Sequence, residues 1–429
     1  MGELGEKLKT EDVFETGTEA GGKFSPSFSA NLSSQWLAAF YTAAISLGLT
    51  FVLGRTLGPN GFGSYSYILT LGSLFFILQE GGFKTLLFRE KILSSEGLRG
   101  YKDRLFSWAL GHVTLVTIAG AFFVLVLPTP YRIGILAAFL CFGFQAAVNF
   151  ISSELRAEGL FPRDAIWQAT VRTLSAAGIL IALFWVRAEP WAVFSGWAAG
   201  FLLSLFLSPI SLKKVSFGGF GVSDLRRACF SFMAVDAATT VYYRCDIILL
   251  ESLLGDSAQV GYYAAAYRFL DGILLFAFPL SLIWFRKLRL VSEETGPFKS
   301  QVFRMSLSMF AAACMIITLG VFFRKETVLL TFGQGYHDSA DLLPWLLAAL
   351  VFLLPNVVLT QAAIAKNIEH LYALAAGAAA ILNIGLNLVL IPRFGGLGAA
   401  WATIATEAFL TVGLILGLRG KTGRRKCNH

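Results

Sequence analysis

Arg172 and Arg244 lie in stretches otherwise made of apolar and small residues, QATVRTLSAAGILI and VYYRCDIILL. A charge at the centre of a membrane helix costs about 2.5–3.5 kcal/mol on insertion scales, so such a residue must meet protein, water or an opposite charge. Spacing decides which charges can be neutralised within their own helix. Glu80 and Lys84 are four apart, and Arg268 and Asp271 three apart, so both pairs are predicted to neutralise locally. Arg172 has Gln168, Ala169, Ser175 and Ala176 at those spacings, and Arg244 has Thr240, Val241, Ile247 and Ile248. Asp246 is no partner for Arg244, because two residues are about 200° around a helix. Asp236 and Glu407 are likewise without a local partner.

Two readings of these charges stand side by side. In one, Arg172 or Arg244 bridges to Asp236, Asp246 or Glu407 on a neighbouring helix and holds a bundle together. In the other, the arginines line a wet cavity and meet an anionic substrate, since a guanidinium grips phosphate oxygens through paired donors. Asn383 and Asn387, four apart, share a helix face suited to interhelical hydrogen bonding.

The elements that must hold these residues are membrane helices. The chain is 56% hydrophobic and 14% charged, with a mean hydropathy of +0.66, against roughly 25% charged residues in an ordinary soluble domain. Runs of about 20 apolar residues, the length of a bilayer-spanning helix, follow one another at 35–54, 65–88, 105–127, 133–153, 165–186, 191–211, 228–250, 261–285, 305–323, 342–365, 371–391 and 395–418. That predicts an all-α integral membrane protein of twelve helices. Residues 1–32 read as a mobile acidic tail and not a cleavable leader. Residues 33–211 read as an N-terminal lobe of helices 1–6, 212–227 as a basic cytoplasmic linker, 228–419 as a C-terminal lobe of helices 7–12, and 420–429 as a basic tail.

Two passages support the halving. LGRTLGPNGFGSYSYILTLGSLFF begins at Leu53 and LLESLLGDSAQVGYYAAAYRFLDG at Leu249; Gly58 pairs with Gly255, and Tyr65 with Tyr263 at an offset of 198 residues. Six helices per half is an even number, so the halves would run the same way through the membrane, as suits a transporter with its substrate between them.

The net charge of +8 on 35 Lys and Arg does not imply nucleic acid. With the N-terminus in the cytoplasm, only Arg55, Arg132, Arg187, Arg324, Lys325 and Arg393 fall outside, and the rest are cytoplasmic or within spans, which is the positive-inside pattern. Both termini are therefore expected in the cytoplasm, with the basic tail facing anionic membrane lipid. Five cysteines without CxxC spacing and isolated histidines predict neither a disulfide framework nor a metal site. GKT at 420–422 lacks the Gly of a phosphate loop, and no GxSxG elbow occurs, so ATP hydrolysis and esterase-type catalysis are not expected.

GRTLGPNGFGSYSYILTLGSLFFILQEGG, YYRCDIILLESLLGDSAQVGYYAAAYR, FGQGYHDSADLLPWL and NIGLNLVLIPRFGGLGAAWATIATE, in that order, resemble the helices of polysaccharide flippases in the multidrug/oligosaccharidyl-lipid/polysaccharide exporter superfamily. The likeness covers most of residues 33–419. It implies a V-shaped pair of six-helix lobes, similar to the multidrug exporters, alternating between inward and outward openings at the cell membrane. It also implies a polyprenyl-pyrophosphate-linked oligosaccharide as cargo, flipped to the outer leaflet for surface polysaccharide synthesis, with other assembly proteins as partners. On that resemblance Arg172, Arg244 and Arg268, with Lys84, are the candidate phosphate- and glycan-binding residues. Asp236, Asp246, Asp271, Glu407 and Glu80 would balance those charges or carry coupling protons or sodium, with no other cofactor. An ion-coupled multidrug exporter is the runner-up, and a glycan polymerase or ligase the third reading.

Overall fold

The computed structural model describes residues 28–93, 99–210 and 222–424, so the predicted tails and the linker fall largely outside the described residues. Every regular element among these residues is helical. α1 (Phe28–Glu80), α2 (Phe83–Leu93), α3 (Arg99–Val126), α4 (Arg132–Ala157), α5 (Phe161–Ile181, prolonged by a π-helical turn) and α6 (Pro190–Phe206) pack on one another. α7 (Val222–Leu254), α8 (Ser257–Leu290), α9 (Thr295–Phe322), α10 (Arg324–Thr331), α11 (His337–Ala348), α12 (Leu350–Ala365), α13 (Glu369–Phe394) and α14 (Gly396–Arg424) form the second group. The groups meet mainly where α1 lies along α7 and α8.

Eight stretches of the described residues are long and apolar enough to cross a membrane. α7 and α8, at 33 and 34 residues, have the length to cross as well and are not among the eight. Large apolar side chains face outward around the bundle, Phe122 at 71%, Ile381 at 76% and Phe206 at 80% exposure. In water that surface would be untenable, whereas a lipid-facing surface is built this way.

α1 is a folded-back pair of arms. Gly58 adopts φ 66°, ψ 176°, outside any helix, and Pro59 follows it, which suits the first residue of a new helix because its missing N–H is not needed there. The first arm runs beside α5, with Gln35 bonded to Asp164 and Ser46 to Arg172. The second runs beside α4, with Ile68 against Gly134 and Glu80 bonded to Asn149. α4 and α5 are joined by a short turn, so the arms must run in opposite directions.

The repeat has a physical counterpart at the junction of the groups. Gly58 and Gly255 both hold positive φ, 66° and 61°, the region that glycine enters without the strain a Cβ brings. Gly63 lies so close to α8 that a Cβ would strike the Ser257 carbonyl, and a Cβ on Gly261 would strike the Pro59 carbonyl. Pro59 and Ser257, like Gly63 and Gly261, are 198 residues apart. The crossing of α1 and α8 is thus reciprocal, as it is on a two-fold axis relating the halves.

Candidate functional site

α5 carries Arg172 to the inner face of the first group. Its Nη2 donates to Ser46 Oγ, and its Nε is buried with no hydrogen-bond partner. No carboxylate pairs with it among the described residues, as its local sequence predicts. A buried donor left unmade costs about 1–3 kcal/mol.

α7 and α8 supply the other two arginines. Arg268 Nη1 is 2.9 Å from Asp271 Oδ2, the predicted pair one turn apart, and Arg244 Nη1 is 3.6 Å from the same oxygen. Arg244 therefore does bridge between helices, to Asp271 and not, among the described residues, to Asp246. Two guanidiniums share one carboxylate, and the three side chains remain 32%, 15% and 32% exposed for Arg244, Arg268 and Asp271. Tyr65, on the second arm of α1, is within electrostatic reach of both Arg268 and Arg172. Among the described residues, the three guanidiniums of Arg172, Arg244 and Arg268 have one paired carboxylate, Asp271.

The predicted Glu80–Lys84 pair does not form. Gly81 and Gly82 take positive φ, 57° and 73°, and end α1 before α2 begins at Phe83, so four residues no longer make one helical turn. Glu80 instead accepts from Asn149 Nδ2 at 2.9 Å. Lys84 stands half-buried on α2. The side chain of Asp236 lies outside the described residues.

Asp246 is buried in a network of neutral donors. Tyr263 Oη at 2.8 Å, Asn387 Nδ2 at 2.8 Å and Thr403 Oγ1 at 3.2 Å all donate to its carboxylate. Asn387 Nδ2 also reaches Asn383 Oδ1 at 2.9 Å, so the predicted Asn face is there and is aimed at this acid. No Lys or Arg pairs with Asp246 among the described residues, and Asn387 Oδ1 is buried without a donor. The carboxylate sits among side chains of α8, α13 and α14. Glu407, also buried, accepts from Asn356 Nδ2 at 2.8 Å, and Thr411 Oγ1 in turn donates to Asn356 Oδ1 at 2.8 Å. Tyr263, Thr403 and Asn356 escape sequence reasoning because each meets its acid from another helix.

The end of the bundle that carries Gly58 and Gly255 is bolted shut. Arg55 Nε donates to the Thr331 carbonyl at 2.9 Å and its Nη2 to the Leu330 carbonyl, at the C-terminus of α10, where helix-end carbonyls welcome a cation. Tyr336 Oη donates to the Gly54 carbonyl at 2.7 Å. Tyr131, just before α4, donates to Glu251 and lies 2.9 Å from Ser257 Oγ. Burial, and then the Glu251 carboxylate, raise the Tyr131 hydroxyl above its ordinary value and keep it protonated as the donor. Every one of these contacts joins one group to the other.

Two helical groups crossing through one arm make a two-lobed, all-helical membrane architecture. The structure matches "Lipid II flippase MurJ, inward closed conformation" with a TM-score of 0.73 at 15% identity, over 90% of this chain and 87% of that one. It matches an inward-facing multidrug resistance MATE family transporter with a TM-score of 0.70 at 12% identity, over 91% and 100%. At such identities these likenesses speak for the fold. The chain belongs to the polysaccharide biosynthesis protein family, whose model matches residues 28–285. It is also 26% identical over 281 residues to the "probable low-salt glycan biosynthesis flippase Agl15" of Haloferax volcanii, a match spanning 62% of this chain and 56% of that relative.

Proposed function

We propose that the protein is a flippase that carries a polyprenyl-pyrophosphate-linked oligosaccharide from the cytoplasmic to the outer leaflet of the cell membrane by alternating access. The observation that carries this reading is the excess of guanidinium over paired carboxylate among the described residues: Arg244 and Arg268 share Asp271, and Arg172 pairs with no described acid. A pyrophosphate supplies the missing negative charge and acceptors for paired N–H donors, while its lipid tail stays in the bilayer. Family membership and the likeness to a probable glycan biosynthesis flippase support a glycan-bearing cargo. A cationic drug would be repelled by the same charges, which disfavours the exporter reading.

In this reading the chain crosses the membrane twelve times, with both termini in the cytoplasm by the positive-inside bias, and the bolted end faces outward. Asp246, ringed by Asn383, Asn387 and Thr403, is the carboxylate that takes up a coupling proton or a sodium ion, for which oxygen ligands are suited. Other polysaccharide-assembly proteins would receive the flipped cargo. The test is a leaflet-resolved glycan assay in cells. Loss of the protein should strand lipid-linked glycan on the cytoplasmic leaflet, and Arg172→Ala or Arg244→Ala should do the same. Changed tolerance to cationic compounds with normal surface glycan would point to the exporter instead, and flipped but unextended glycan to a polymerase.

A further inference from the structure

A cavity of about 510 Å³ opens at the bolted end between the α8 start, α11 and the α13–α14 turn, within the ~300–1,000 Å³ range of small-molecule sites. Its walls are aromatic. Trp345 and Phe394 are 45% and 47% exposed, and Trp401 backs both, with ring centroids 5.7 and 5.0 Å away. Tyr262 is among the lining residues too, braced by Tyr336 at 6.3 Å. Its polar groups are planar hydrogen-bonding ones. Asp338, Asp341 and Arg324 line it, and Gln259 is pressed against the turn, where a Cβ on Gly395 would strike its Oε1.

Charge separates this site from the arginines between the lobes. Two carboxylates face one guanidinium, and that guanidinium is already 3.6 Å from Asp341. Such a cavity repels phosphate. Rigid aromatic faces beside fixed acceptors and amide donors suit a ligand with apolar C–H faces and a hydroxyl edge. We propose that this cavity binds the uncharged sugar residues of a glycan, as a receiving subsite on the face where cargo leaves. The identity of the arriving ligand rests on the flippase reading; the chemistry of the cavity does not. Tyr336, which braces Tyr262, is bonded to Gly54 of the opposite lobe, so the subsite adjoins the contacts that must part for cargo to exit.

The experiment uses the full-length protein in phosphatidylcholine nanodiscs and saturation-transfer NMR with soluble maltotriose, mannotriose and chitotriose. At least one trisaccharide should give a saturable signal, weakened about tenfold or more by Trp345→Ala and by Asp338→Asn. Trp185→Ala, a ring 78% exposed on the other lobe, should leave the signal unchanged. Asp338→Asn is isosteric at a half-exposed position, so it keeps the test valid if Trp345→Ala misfolds. No saturable signal from any of the three, or a signal that both cavity variants leave intact, overturns the proposal. Quenching of Trp345 by brominated lipid, read against Trp345→Phe, would then mark the ring as an interfacial anchor. Absent sugar binding with normal leaflet transfer sinks the subsite alone; sugar binding without leaflet transfer sinks the flippase reading and keeps the subsite.

Discussion

Arg244 of α7 and Arg268 of α8 converge on a single oxygen of Asp271, at 3.6 and 2.9 Å. The carboxylate orients both guanidiniums without neutralising both. Asp271→Asn should therefore unlock the pair. Binding of a polyprenyl pyrophosphate should persist, because the cations remain, but its dependence on salt should steepen as an unscreened charge is added. Titrating ligand affinity against sodium chloride in wild type and variant reads the difference; an unchanged slope argues against the shared-carboxylate account.

Asp246 makes its own demand. Asp246→Ala strands the donors of Tyr263, Asn387 and Thr403, at about 1–3 kcal/mol for a buried group left unpaired. Thermal unfolding in detergent should show a clear loss. Asp246→Asn keeps the shape and removes the charge, so it should unfold closer to wild type while transport loses its response to an imposed proton or sodium gradient. A gradient response retained in Asp246→Asn rules this carboxylate out as the coupling group.

The bolted end predicts conformational bias. Gly63→Ala places a Cβ on the Ser257 carbonyl, and Arg55→Ala removes the link to the end of α10. Both should favour opening on that side. Labelling of Ser257→Cys by an impermeant maleimide should be slow in the parent and several-fold faster in either variant. Equal rates in all three would show that these contacts do not hold the end closed.

Asp164 separates structure from transport. It is fully buried, 3.2 Å from Arg156 Nε and bonded to Gln35 and Gln168, tying α4, α5 and the first arm of α1 together. Losing a buried acceptor that several donors share costs about 1–3 kcal/mol. Asp164→Ala should lower the yield of folded protein while the molecules that fold transport at the parental rate. A normal yield with lost transport would instead place Asp164 in the transport path.

These outcomes also mark what the sequence could and could not disclose. Regular one-turn spacings were readable: Arg268 with Asp271, and Asn383 with Asn387. The paired turn glycines Gly58 and Gly255 announced the repeat, because only a left-handed backbone demands glycine at both. Spacing failed at Glu80 and Lys84, where Gly81–Gly82 breaks the helix that the arithmetic assumed. The partner of Arg244 and the ring of donors around Asp246 come from helices distant in sequence, and apolar periodicity does not say which faces meet. Arg55, Tyr131 and Glu251 looked like ordinary residues at span ends until the lobes were assembled.

The central claim is that the arginines between the lobes take their missing negative charge from the cargo. Affinity of the reconstituted protein for a polyprenyl-pyrophosphate trisaccharide, measured for wild type, Arg172→Ala and Arg268→Ala, addresses it most directly. Each variant should bind about tenfold or more weakly, since each removes a charge-assisted contact, and the same lipid-linked sugar lacking phosphate should bind all three equally poorly. Full affinity in both variants, or tight binding of the phosphate-free lipid, would contradict the account.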